Sequence, residues 1–182
     1  MRVWRGRASG LARPPPPAGA ALALSLGVLA VLGATAAGVS GPPAAEWLLV
    51  GRLQAGAVVF SVPLPEGSFA LRYRNSVYGS LAEERFTVDA AGRLVLTELA
   101  SDEVALLGEY YAVAQRPRPA PPADARAWVA PPAGQMELGE LSLVASRHGE
   151  RTLLVDGRAP IQLWDLAGTD SAALRLSAEK AP

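Results

Sequence analysis

The stretch Glu84-Arg85-Phe86-Thr87-Val88-Asp89-Ala90-Ala91-Gly92-Arg93-Leu94-Val95-Leu96-Thr97-Glu98-Leu99 decides the fold. Two runs rich in aliphatic, aromatic and β-branched residues flank Ala90-Ala91-Gly92, where the glycine supplies the positive φ of a short turn, so the segment reads as an antiparallel hairpin. The same style continues in both directions. Upstream, Trp47 to Leu53 and Val58 to Leu64 bracket Gln54-Ala55-Gly56, and Phe69 to Val77 follows Pro65-Glu66-Gly67. Downstream come Glu140 to Ser146, Arg151 to Val155, a turn at Asp156-Gly157, Pro160 to Trp164, and Ala172 to Ser177. About eight to nine short strands, with no segment long enough for a βαβ crossover, predict an all-β domain, either an antiparallel β-sandwich or a small barrel. Asp102 to Gly108 has room for one helical turn. Arg116 to Gly134, RPRPAPPADARAWVAPPAG, carries prolines that oppose regular pairing, and it predicts a long loop pinned to the core by Trp128.

Ahead of this domain (47–182) the sequence changes character. A basic, proline-rich segment (1–17) leads into an uncharged apolar stretch, AGAALALSLGVLAVLGATAAGV at 18–39, and then a short linker (40–46) containing Gly41-Pro42-Pro43. The stretch has the length of a helix that crosses a hydrocarbon core of about 30 Å. The fold is therefore expected to be preceded by one N-terminal hydrophobic helix. Arg2, Arg5, Arg7 and Arg13 on its N-terminal side favour the cytoplasm for that end and the outer face of the cytoplasmic membrane for the β domain. Ala34-Thr35-Ala36 resembles a signal-peptidase site, so a single-pass anchor and an exported, cleaved chain are both readings of the same segment.

The formal net charge is zero, yet all four of those arginines precede the first acidic residue, Glu46. The remainder of the chain thus carries a charge of about −4, which opposes nucleic-acid binding. With no cysteine there is neither a disulfide nor a thiolate site, and stability rests on packing. The single histidine, His148, lies in Ser146-Arg147-His148-Gly149-Glu150, a run with hairpin-turn composition. One histidine without a G-x-S-x-G elbow, an H-E-x-x-H pair or a D-x-D-x-D-G loop gives no hydrolase triad and no metal site, and no cofactor is expected. Gly51-Arg52-Leu53-Gln54-Ala55-Gly56 lacks the lysine and following helix of a phosphate loop and reads as a hairpin turn.

The candidate site is Tyr73, Asn75, Ser76 and Glu84. Period-two counting places Phe69, Leu71, Tyr73 and Asn75 on one inward face, and Glu84, Phe86 and Val88 on the next. Two polar groups, Asn75 and Glu84, therefore fall on apolar faces near strand ends where they could meet, and a buried Glu84 requires a hydrogen-bonding partner. They read either as a structural pair closing the hairpin or as part of a ligand pocket. Arg72, Arg74, Glu83 and Arg85 fall on the opposite face, expected to be solvated and salt-bridged.

The same residues resemble the DUF1850 family of bacterial proteins, whose core pattern runs approximately Y-x-H-S-V-x-x-T-P-V-x-E followed by an aromatic. Tyr73, Ser76, Val77, Glu84 and Phe86 match at the expected spacing, and Ser80 replaces the threonine. Gly92 to Leu96 and Thr152 to Val155 are similar to its second hairpin and C-terminal strands, so the resemblance covers roughly 47–177. Asn75 replaces the family histidine, Leu81 the proline, and Leu106-Leu107-Gly108-Glu109-Tyr110-Tyr111 a glycine-rich stretch. An amide does not titrate near neutral pH, so Asn75 cannot act as a proton carrier in place of the histidine. The resemblance implies an extracytoplasmic protein associated with a TRAP-type (TAXI subtype) solute transporter. The expected function is a non-catalytic accessory or binding domain whose partners are the membrane, through an uncleaved N-terminal segment, and transporter subunits. The alternatives are an extracytoplasmic enzyme using Glu84 with Ser76 or Asn75, and a structural envelope domain whose partner surface is the loop around Trp128.

Overall fold

The computed structural model describes residues 46–168 and 170–182. The expected hydrophobic helix at 18–39 and its flanks at 1–17 and 40–45 lie outside the described residues. Among the described residues no helix is long and apolar enough to cross a membrane.

The described residues hold twelve strands, in chain order β1 (Trp47–Leu53), β2 (Val58–Leu64), β3 (Ser68–Arg74), β4 (Leu81–Val88), β5 (Leu94–Ser101), β6 (Arg118–Pro119), β7 (Trp128–Ala130), β8 (Met136–Leu138), β9 (Leu141–Ser146), β10 (Thr152–Leu154), β11 (Ile161–Gln162) and β12 (Ser171–Lys180). They form two antiparallel sheets. A four-stranded sheet has the order β2-β1-β12-β9, and the larger one runs β11-β10-β3-β4-β5-β7-β6 with β8 also paired to β5. The inner faces meet in one core, in which Leu49, Leu174 and Leu176 of the first sheet pack with Leu71, Phe86 and Leu99 of the second. The fold is a β-sandwich. Each fully buried leucine contributes about 1.5–3 kcal/mol relative to an exposed one, which suits a chain without disulfides.

The predicted hairpin at 84–99 is β4–β5, and its turn is built as its residues suggest. Gly92 takes φ +81°, and the Asp89 carboxylate accepts from the backbone N–H groups of Ala91 and Arg93 at 2.9 Å each. A bulge interrupts the pair: Arg85 faces Glu98 whereas Phe86 faces Leu96, leaving Thr97 unpaired. The bulge lets Leu94, Leu96, Leu99 and Ser101 all be buried despite the odd step between Leu96 and Leu99. Gly51 lies within β1 opposite Phe60, whose ring covers it, so the glycine-containing run is strand and turn. The helical turn expected near 102–108 is a π-helical turn at Leu106–Tyr110.

Three expectations need correction. Arg116 to Gly134 is not unpaired: β6 pairs with β7, and β7 extends the large sheet beyond β5, because each strand is only two or three residues long, with β7 lying between Pro122 and Pro131 and β6 holding a proline only as its last residue. Trp128 does pack against the core. The run Ser146 to Glu150 is not a hairpin turn; β9 belongs to one sheet and β10 to the other, so the chain crosses between layers there. Glu83 and Arg85 are not solvated. The proline-rich segment folds over them, and Asp124 clasps the Arg85 guanidinium with both oxygens at 2.7 and 2.8 Å. Arg85 also reaches Glu98 at 2.8 Å and Glu83 at 3.0 Å, and Arg126 lies 3.5 Å from Glu83.

Candidate functional site

Register decides where the candidate residues go. In the β3–β4 ladder Phe69 faces Phe86, Leu71 faces Glu84 and Tyr73 faces Ala82, so Tyr73 and Glu84 share the inward face of the large sheet. The stacked rings of Phe69 and Phe86, with centroids 5.1 Å apart, hold that register. Asn75 lies beyond the ladder and does not meet Glu84. Its Oδ1 accepts from the backbone N–H groups of Val77 at 2.9 Å and Tyr78 at 3.1 Å, closing the 75–80 turn. Ser76 is exposed on that turn. The constellation required by the enzymatic alternative, Glu84 with Ser76 or Asn75, is therefore not assembled.

Glu84 finds its partner elsewhere. The Tyr111 hydroxyl, just past the π-helical turn, donates to Glu84 Oε1 at 2.9 Å, and the hydroxyls of Tyr73 and Tyr111 are themselves hydrogen-bonded. Each phenol has one proton. Since that of Tyr111 goes to Glu84, Tyr73 donates to Tyr111, and the chain runs in one direction from Tyr73 to Tyr111 to Glu84. Burial pushes the Tyr73 phenol up to about 12. Burial, and then the charge of Glu84, pushes the Tyr111 phenol up as well. Neither hydroxyl ionises near neutral pH, so both act as hydrogen-bond donors rather than as bases. Sequence reasoning missed Tyr111; only the general requirement that a buried Glu84 be bonded pointed to such a donor.

Two clefts flank this chain. On the Glu84 side, a cleft of about 460 Å³ is lined mainly by apolar groups, among them Phe86, Leu96, Leu99, Met136 and Leu141, with Glu84 and Tyr111 as polar elements. Among the described residues no cation pairs with Glu84. On the Tyr73 side, Asn75 and Ser76 line a smaller cleft with His148 and Arg151. The Arg151 guanidinium lies over the Tyr73 ring, 4.9 Å from its centroid. Among the described residues, no group of three histidine, aspartate or glutamate side chains is placed to hold a metal ion.

Compared with family models, with curated proteins and with solved structures, the chain matches none of them.

Proposed function

We propose that this chain is a non-catalytic, extracytoplasmic binding domain, held at or exported across the cytoplasmic membrane by its N-terminal segment and serving as an accessory to a TRAP-type solute transporter. The uncharged stretch at 18–39 behind four arginines supports the cellular placement. The resemblance around Tyr73 and Glu84 to the DUF1850 family supports the transporter context. One observation carries the binding reading: a carboxylate without a cationic partner stands in an apolar cleft, oriented by a tyrosine that donates to one of its oxygens. Such a site favours a ligand with an apolar body and a cationic or hydrogen-bond-donating head, since pairing would offset the cost of a half-buried charge.

Calorimetric titration of the full-length protein with 4-phenylbutylamine, alongside the isosteric alcohol and 4-phenylbutyrate, tests this. The amine should bind at least tenfold more tightly than the alcohol, and Glu84→Gln should abolish that preference while thermal unfolding shows the variant folded. Unchanged amine affinity in Glu84→Gln would remove Glu84 from the reading.

A further inference from the structure

The smaller cleft, about 250 Å³ on the Tyr73 side, has the opposite electrostatic character. It opens where the chain crosses from β9 to β10, between the Asn75 turn and the segment Ser146 to Arg151. Among the described residues its lining includes Arg74, His148 and Arg151 and no carboxylate, in a part of the chain whose net charge is about −4. The Arg74 charge is already paired, with Glu150 at 3.0 Å. Arg151 is not: among the described residues its guanidinium meets no carboxylate and no hydrogen-bond acceptor, and its one ordered contact is the face of Tyr73. Half-buried and stacked, it keeps its planar fork of donors free.

Asn75 supplies a second, independent donor. Because its Oδ1 accepts two backbone N–H groups, the orientation of the carboxamide is settled, and the other end is the NH2 group. That Nδ2 has no acceptor among the described residues, although Asn75 is only 5% exposed. A buried amide with unused donors and an unpaired guanidinium line the same cleft.

We propose that this cleft is a binding site for a small carboxylate anion. The two oxygens of a planar carboxylate match the guanidinium fork of Arg151, Asn75 Nδ2 provides a further donor, and the Tyr73 ring holds the guanidinium in place beforehand. A volume below the range of ordinary drug-sized pockets selects small anions. Asn75 thus has a role that a histidine with one acceptor nitrogen could not fill, since it accepts two turn N–H groups while offering two donors to the cleft.

The test is calorimetric titration of the full-length protein, at constant ionic strength, with benzoate, succinate and inorganic phosphate. At least one carboxylate should bind saturably, and Arg151→Gln should weaken it tenfold or more. Asn75→Asp keeps the oxygen that closes the turn and replaces the donor with a like charge, so it should abolish binding while circular dichroism and thermal unfolding remain close to those of the unsubstituted protein. No saturable carboxylate binding at millimolar concentration overturns the proposal, as does unchanged binding in both variants. Phosphate binding without carboxylate binding overturns the assignment of ligand class. The amine titration of the Glu84 cleft reads a different site, so either result stands without the other.

Discussion

Replacing Asp124 with asparagine should release the proline-rich segment from the sheet it covers. Asp124 accepts both Arg85 Nη groups at 2.7 and 2.8 Å, and its Oδ1 also accepts the Arg126 backbone N–H at 2.8 Å. The Asp124 side chain is 10% exposed and that of Arg85 25%. Breaking a buried ion pair by removing one partner costs about 3–5 kcal/mol. Arg85 retains Glu98 and Glu83, and asparagine preserves one acceptor oxygen, so the expected loss falls to about 2 kcal/mol. For a domain of this size that lowers Tm by roughly 6–10 °C.

The pH dependence follows from the same contact. The Arg85 guanidinium holds the Asp124 carboxyl below the usual carboxylate range. A depressed folded-state value means that its contribution is complete above the ordinary carboxylate pKa of about 4 and is lost as pH falls through the lower folded value. The unsubstituted protein should therefore lose stability more steeply than Asp124→Asn below about pH 4. Differential scanning calorimetry from pH 3 to 7 measures both effects, and trypsin provides a local readout. The Arg126 side chain is only 10% exposed and ion-paired to Asp102 at 2.7 Å, so cleavage after Arg126 should accelerate in the variant. A Tm within 2 °C of the unsubstituted protein, with unchanged cleavage, would refute this account of the clasp.

Absorbance titration of the tyrosines should show the Tyr73 phenol ionising near pH 12; raised in the folded state, it contributes stability below about pH 10 that is lost as pH climbs through 12. In Tyr111→Phe, which takes the donor from Glu84 and the acceptor from Tyr73, unfolding free energy should drop by about 1–3 kcal/mol, and a neutral result would mean water replaces the hydroxyl. Among the described residues the buried Ser80 hydroxyl has no partner, so Ser80→Ala should be neutral or stabilising by about 1 kcal/mol in urea denaturation; a clear loss would reveal an unrecognised bond. Gly92→Ala meets both φ +81° and the Trp47 ring 3.0 Å away and should cost about 1–2 kcal/mol in the same assay, whereas an unchanged midpoint would show that the turn relaxes freely. Fractionation with N-terminal sequencing should find either an intact terminus in membranes or a chain starting near Ala37; an intact, wholly soluble chain contradicts both placements.

The sequence shows β1 to β5, β9 and β12 as apolar runs between turn residues, and it also marks the short β10 and β11 within Arg151 to Val155 and Pro160 to Trp164. The turn residues on either side of β2 bound it at Val58–Leu64, and period two puts Phe69, Leu71 and Tyr73 on the inward face. Strands β6, β7 and β8 hold two or three residues each, too few to show a period; β7 and β8 pair along β5, and β6 pairs with β7. Counting also placed Glu83 and Arg85 on the outer face, where they are. Periodicity names a face but not what covers it, and the cover came from Asp124, 39 residues beyond Arg85. Tyr111 was hidden for the same reason, being 27 residues from Glu84 and outside any strand. Asn75 and Glu84 do not pair because the β3–β4 register sets Glu84 opposite Leu71, four residues along the strand from the asparagine.

The short strands at the margins of the large sheet also govern how the molecule behaves towards other copies of itself. A long exposed margin presents a row of free N–H and C=O groups on which another chain can build. Here one margin is β6, an arginine and a proline flanked by further prolines, and the other is β11, two residues long and preceded by Pro160. Proline has no N–H to offer, and two residues give an incoming strand almost nothing to pair with. At the outer margin of the smaller sheet, β2 carries Pro63 near its end. The segment that confines Arg85 thus also terminates the sheet, and a chain in which that clasp is broken should lose resistance to aggregation along with stability.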